Sequence, residues 1–226
     1  MTALHSKNRP QGRQMNLRGT ISVLAALAAT AIVAAAPGTA AAAPDPPGCT
    51  QNIAYDPSIP TFKQYADANA IANNTLGGGG TGSNSRHPTL ELYGYFDAVM
   101  AATAGNPRVS VIRGDLGTSY LGKPMRYYVV GSTSNIANLN AGRNDGAFWR
   151  GVREGTISAE QGELEAQDRP AFFWNTATPH GGESAAGEAI SRVLYELTAR
   201  TDCANLQRLD RLDNFLMPVT NPDGRD

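Results

Sequence analysis

Two short apolar runs separated by one long amphipathic segment constrain the fold more than any other feature of this chain. The first, PAFFWNT at 170–176, is bounded by Pro170 and Pro179 and is continuous rather than alternating. That pattern predicts a strand covered on both faces, of the kind found inside a parallel α/β sheet. Residues 183–200 then place apolar side chains at 186, 190, 193, 194 and 197, the stripe of a helix packed on one side. NFLMPVT, at 214–220, reads as a second buried strand. Strand, helix and strand in this order form a right-handed crossover, so the two strands are expected to be parallel near neighbours.

Upstream, TLELYGYFDAVMAATAGNP spaces Leu92, Phe96, Val99 and Met100 helically and stops at Gly105 and Pro107. RVSVIRGDLG and MRYYVVG read as strands joined by the turn-like TSYLGKP, a hairpin-like pair. Residues 143–166 predict two surface helices, the second begun by Ser158 with glutamates near its positive end. The fold class is therefore α/β, with a mixed, largely parallel sheet flanked by helices.

The first 43 residues read differently. Lys7, Arg9, Arg13 and Arg18 form a basic leader without acidic residues, an alanine-rich apolar stretch follows, and TAAAAP supplies small residues suited to cleavage near Ala43. A secretory signal peptide accounts for all three features. About 20 apolar residues can also anchor a chain in a bilayer, but alanine is only weakly hydrophobic and the stretch ends at a cleavage-like site. Secretion without stable membrane insertion is the expectation. Without residues 1–43 the chain holds 15 basic and 20 acidic residues, a net charge of −5 that gives no sign of nucleic-acid binding. Residues 44–86 are expected to be an extended, proline-rich lead-in with one short helix, ending in the glycine-rich linker of 77–86; the globular part starts near His87. The cysteines, Cys49 and Cys203, would meet an oxidising compartment, where a disulfide between them would be worth about 4 to 5 kcal/mol. Sequence supplies no distance, so paired and unpaired states both stay open. Two cysteines are too few for a structural zinc site.

Ligands in open α/β sheets collect at the carboxyl ends of strands. TPHGGE and TNPDG each follow a predicted strand, so parallel strands would deliver both to one edge. His180 and Glu183 offer an imidazole nitrogen and a carboxylate oxygen, both good zinc ligands, with Gly181 and Gly182 giving the backbone between them freedom to bend. Glu183 also falls on the predicted buried stripe, where a charge needs a partner. That partner could be a metal or the amides of the helix's first turn. Glu188 points to a different face and is expected to be solvated, while His87, before a proline, reads as a helix-start element. Asn-Pro and Asp-Gly are ordinary turn formers taken alone.

The ordered combination, HGGE after a buried strand, then a helix, then LMPVTNPDGRD, resembles the zinc carboxypeptidase family, the carboxypeptidase A-like metallopeptidases. GTSYLGKPMRYYVVG is similar to that family's strand pair, and the resemblance covers residues 87–226. It implies one Zn2+ ion with His180 and Glu183 as two of its three protein ligands. It also implies a structural turn of Asn221, Pro222, Asp223 and Gly224 bordering the site, and peptide or protein C-termini as substrates. Gly182 departs from the arginine that many digestive members carry there. In the family the third ligand, a histidine, the oxyanion-stabilising arginine, the Asn-Arg pair that grips the substrate carboxylate and the glutamate base lie beyond NPDG, whereas this sequence stops at Asp226. No third ligand is found and no catalytic residue is assigned. The expectation is an N-terminal half of a carboxypeptidase domain, truncated after the NPDG turn, that binds zinc weakly and hydrolyses peptides poorly or not at all. Two alternatives stand beside it: a non-catalytic secreted remnant or binding protein, and a zinc-dependent N-acyl amino acid deacylase sharing the His-x-x-Glu pair.

Overall fold

The computed structural model describes residues 44–76 and 87–226; the predicted leader of 1–43 and the glycine-rich stretch of 77–86 lie outside the described residues. Helix α1 (Phe62–Ala68) is followed by α2 (Thr89–Ala102), strands β1 (Val109–Thr118) and β2 (Pro124–Ser132), and helices α3 (Thr133–Leu139), α4 (Asp145–Glu154) and α5 (Ala159–Ala166). Strand β3 (Ala171–Thr176), helices α6 (Ser184–Ala199) and α7 (Cys203–Arg211), strand β4 (Leu212–Met217) and the single-turn α8 (Pro222–Arg225) follow among the described residues.

The sheet runs β1-β2-β4-β3. β3 and β4 pair in parallel from Ala171↔Leu212 to Thr176↔Met217, as a crossover through a helix requires. The β1–β2 and β2–β4 pairings are antiparallel, so the parallel part of the sheet is confined to the β3–β4 pair. The short turn between β1 and β2 leaves no room for the crossover that a parallel pairing needs.

β3 departs from its predicted place. Among the described residues it pairs only with β4 and forms the sheet edge, with Phe173 52% and Trp174 49% exposed. The strand buried on both faces is β4, whose residues from Asp213 to Met217 are all buried. An unbroken apolar run reports affinity for a packed surface, but the side on which a neighbour lies is set by long-range pairing. Here Trp174 stacks on Phe215 of β4 at a ring-centroid distance of 4.5 Å, and Phe172 meets the same ring at a tilt, 5.1 Å away.

Two helices cover the opposite face. Leu92, Phe96 and Val99 of α2 and Ile190, Leu194 and Leu197 of α6 join Val109, Val111, Tyr128, Val130 and Leu216 of the sheet in one buried cluster. The buried arc of α6 is rotated from the predicted stripe: Gly187, Glu188, Ser191 and Thr198 are buried, and Val193 is 38% exposed. Small residues cause this rotation. A Cβ on Gly187 would stand 2.8 Å from the Pro218 carbonyl, so the helix approaches the end of β4 closer than a larger side chain would allow.

Residues 44–76 are not merely a lead-in. Ile59, Phe62 and Ala66 belong to the main buried cluster, and α1 is started by a capping box between Thr61 and Gln64. Cys49 and Cys203 are joined in a disulfide, beside a backbone bridge between Thr50 and Asp202. The packed body thus begins well before His87. Helix α4 is likewise more than surface covering, since Asp145 and Phe148 are buried and Asp145 is held by Arg143 and Arg169 at 2.8 and 2.6 Å.

Candidate metal site

The parallel register of β3 and β4 delivers their following loops to the same edge. From there the backbone of one loop is bonded to the other. Ala177 N–H donates to the Met217 carbonyl (3.0 Å), and the Thr220 N–H and hydroxyl both donate back to the Ala177 carbonyl (2.9 and 2.8 Å). Asn221 N–H donates to the Thr178 carbonyl at 3.1 Å, and the Asn221 side-chain amide donates to the Pro179 carbonyl at 3.1 Å. Two residues farther on, Gly181 lies so close to Gly224 that a Cβ on Gly181 would collide with the Gly224 carbonyl. HGGE and NPDG, 38 or more positions apart in sequence, therefore form one surface.

Local backbone geometry bends the chain into this position. Thr178 is fully buried and has φ of 56°, an uncommon conformation for a β-branched residue, immediately before Pro179 and His180. Glu183 is the N-cap of α6, one residue outside the helix, and its N–H closes a turn onto the His180 carbonyl at 3.0 Å. Both His180 and Glu183 are exposed, which corrects the placement of Glu183 on the buried stripe: a capping residue precedes the regular helical arc. One Glu183 carboxylate oxygen lies 3.4 Å from the His180 backbone N–H, which donates to it.

The second motif is fastened on three sides. Asn221 accepts from Gly224 N–H at 3.0 Å and caps α8. Asp223 reaches the β1–β2 turn, accepting from the Ser119 hydroxyl at 2.5 Å and from Leu121 N–H at 3.1 Å. Lys123 of the same turn donates to the Pro222 carbonyl at 3.2 Å and lies 3.7 Å from the Asp226 carboxylate. Asp226 in turn accepts from the N–H and hydroxyl of Thr89 at the start of α2.

Beneath the loops lies a buried ionic group that the sequence did not announce. Arg225 is 1% exposed and Glu188 2% exposed, with 3.6 Å between Nη2 and Oε1. Glu188, expected in solvent, is buried because it follows Gly187 on the arc that packs against Pro218 and Arg225. His87 belongs to this group through its backbone, while its ring meets Glu91 at 2.9 Å and so serves the start of α2. A close-packed glycine beside a glutamate is the local signal that could have placed Glu188. For Arg225 no sequence signal exists.

The donor types of His180 and Glu183 fit zinc, which takes imidazole nitrogen and carboxylate oxygen. Among the described residues, the one cluster of three side chains with ligand atoms mutually within reach is Asp45, Cys49 and Cys203. Its two sulfurs form the disulfide, so thiolate ligation is not open to it. A cavity of about 450 Å³, lined by Phe62, Tyr95, Glu188, Arg192 and Tyr195, lies elsewhere and does not include His180.

No curated protein matches the chain. The family model described as zinc carboxypeptidase matches residues 97–226, more than half of the chain and all of the crossover from β3 to β4 with both motifs. The chain therefore belongs to the zinc carboxypeptidase family.

Proposed function

We propose that the chain serves as a secreted zinc metallocarboxypeptidase, in which His180 and Glu183 are two of the protein ligands of one Zn2+ ion. The observation that carries the reading is the contact of HGGE with NPDG at the carboxyl ends of parallel β3 and β4. Bound there, zinc would polarise the scissile carbonyl of a peptide and lower the pKa of a bound water. The part of the chain's own residues is to hold the ion. His180 would ligate as a neutral imidazole, and Glu183 would supply a carboxylate from the N-terminal end of α6. The NPDG turn fixes the loop that carries them.

A catalytic zinc takes three protein ligands and keeps one position for water, and His180 and Glu183 would supply two of the three. Family membership supports peptides as the substrate class, with free C-termini as their point of attack. Secretion is supported by the basic and alanine-rich leader and by the disulfide, a bond that persists in oxidising compartments. Among the described residues no helix is long and apolar enough to cross a membrane.

Chelator-competition titration of the purified 226-residue chain with Zn2+, beside His180→Ala and Glu183→Gln, tests the ligand assignment. Zinc binding that either substitution abolishes supports it. Zinc affinity unchanged by both substitutions removes the site. Release of the last residue from a peptide with a free C-terminus, and not from its amidated form, would separate carboxypeptidase action from deacylation. The mass of the exported protein checks cleavage near Ala43.

A further inference from the structure

We infer that Asn221 is a positioning residue for the metal-binding pair, holding the peptide bond that carries His180. The inference rests on the reading of His180 and Glu183 as ligands. Three consecutive carbonyls precede His180, those of Ala177, Thr178 and Pro179, and each accepts a hydrogen bond from Thr220 or Asn221. The first two carbonyls accept from backbone N–H groups that almost any residue would supply, Ala177 also from the Thr220 hydroxyl. The third, that of Pro179, accepts from the Asn221 side chain, whose Nδ2 donates to it at 3.1 Å.

That carbonyl belongs to the Pro179–His180 peptide. The other end of the same peptide plane, the His180 N–H, donates to the Glu183 carboxylate. One planar unit is thus held between Asn221 and a candidate ligand, and it carries the other candidate ligand as its next side chain. Holding is needed here because Thr178, two residues before His180, sits at φ of 56° inside a buried turn. A β-branched residue in that region costs free energy that surrounding contacts must offset.

Capping and holding are separable at this position. The Asn221 side chain does two things: Oδ1 accepts from Gly224 N–H and starts α8, and Nδ2 donates to Pro179. Serine and aspartate are good N-caps and can perform the first task. Aspartate has no proton to donate to Pro179, and a serine hydroxyl that reorients to donate there gives up part of its reach. Asparagine alone among the three offers an acceptor and a donor on one rigid amide.

The test uses the whole 226-residue chain with Asn221→Ser and Asn221→Asp, and His180→Ala as the control. Zn2+ affinity is read by chelator competition, the absorption spectrum of added Co2+ reports ligand geometry, and thermal unfolding reports the fold. If Asn221 positions the pair, both variants keep their unfolding midpoint within a few degrees. Zinc affinity falls roughly tenfold, the usual scale for losing a group that orients a ligand, and the Co2+ spectrum changes. Parental affinity and an unchanged spectrum in either folded variant, with His180→Ala still abolishing binding, overturn the inference and leave the ligand assignment standing. Parental affinity in His180→Ala removes the ligand assignment itself and the inference with it.

Discussion

The guanidinium of Arg225 is seated on the carbonyl of His87, with Nε at 3.0 Å and Nη2 at 2.8 Å. The N–H of the same His87 donates to Glu188 at 3.0 Å. One residue at the start of α2 thereby joins the end of the NPDG turn to the second turn of α6, across 138 positions of sequence on one side and 101 on the other.

Replacing Arg225 with methionine keeps most of the apolar bulk and removes the charge that faces Glu188. Breaking one side of a buried ionic group costs about 3 to 5 kcal/mol. Urea denaturation of Arg225→Met should show a loss of that size, and a loss below about 1 kcal/mol would mean that water or other groups replace the guanidinium without penalty.

The two glycines of HGGE are not equivalent. A Cβ on Gly181 collides with the Gly224 backbone, whereas a Cβ on Gly182 meets nothing within 4 Å. Gly181→Ala is expected to push the two loops apart, costing about 1 to 3 kcal/mol and most of the zinc affinity. Gly182→Ala should leave both close to the parent. Equal behaviour of the two variants in unfolding and zinc titration would contradict the contact.

Asp213 gives stability a dependence on pH. Its carboxylate is fully buried on β4, both oxygens lack a hydrogen-bond partner among the described residues, and burial followed by the nearby charge of Asp145 raises its pKa to about 7, against a smaller lowering by Arg143. The unfolded chain releases this proton near pH 4, so between about pH 4 and 7 the folded state binds more protons. Stability is greatest at the acid end of that window, falls as pH rises, and levels off above 7. The drop is about 4 kcal/mol at most. In Asp213→Asn the difference in unfolding free energy between pH 5 and pH 8 should shrink markedly; a slope identical to the parent's would assign the effect to other groups.

Cys49 and Cys203 close a loop spanning 154 positions and tie the N-terminal segment beside α7. Chain-entropy reasoning makes this bond worth about 5 kcal/mol, with measured losses for native disulfides of about 2 to 5 kcal/mol. Cys203→Ser should unfold at correspondingly lower denaturant, and reducing agent should bring the parent down to the same midpoint. A reduced parent that keeps its midpoint would show that packing of Ile59 and Phe62 alone holds the segment.

Local pattern made half of this molecule legible. The crossover, the β1–β2 pair and the common edge of HGGE and NPDG follow from apolar runs, helical spacing and the handedness of connections. These are properties of neighbouring residues. Long-range facts escaped: β3 as an edge strand, Ile59 and Phe62 in the main cluster, and Glu188 beneath the site. Counting apolar side chains misplaces the buried arc of α6 because Gly187, Ser191 and Thr198 are buried for their small size or their internal hydrogen bonds. Helix α7 shows no apolar stripe in the sequence, because Leu206 and Leu209 are its buried aliphatic side chains, although Asp202 caps its start. Ser119 and Lys123 looked like turn residues, and only the folded chain brings Asp223 to them.

The in-step pairing of Thr176 with Met217 makes length, rather than composition, the exacting quantity along these two strands. One residue added to either strand advances its loop by about 3.3 Å and turns every following side chain to the opposite face. Insertions between 171 and 176 or between 212 and 217 would therefore part Gly181 from Gly224 even with both motifs intact. Related chains can vary freely in the apolar residues they place there, but they must keep count.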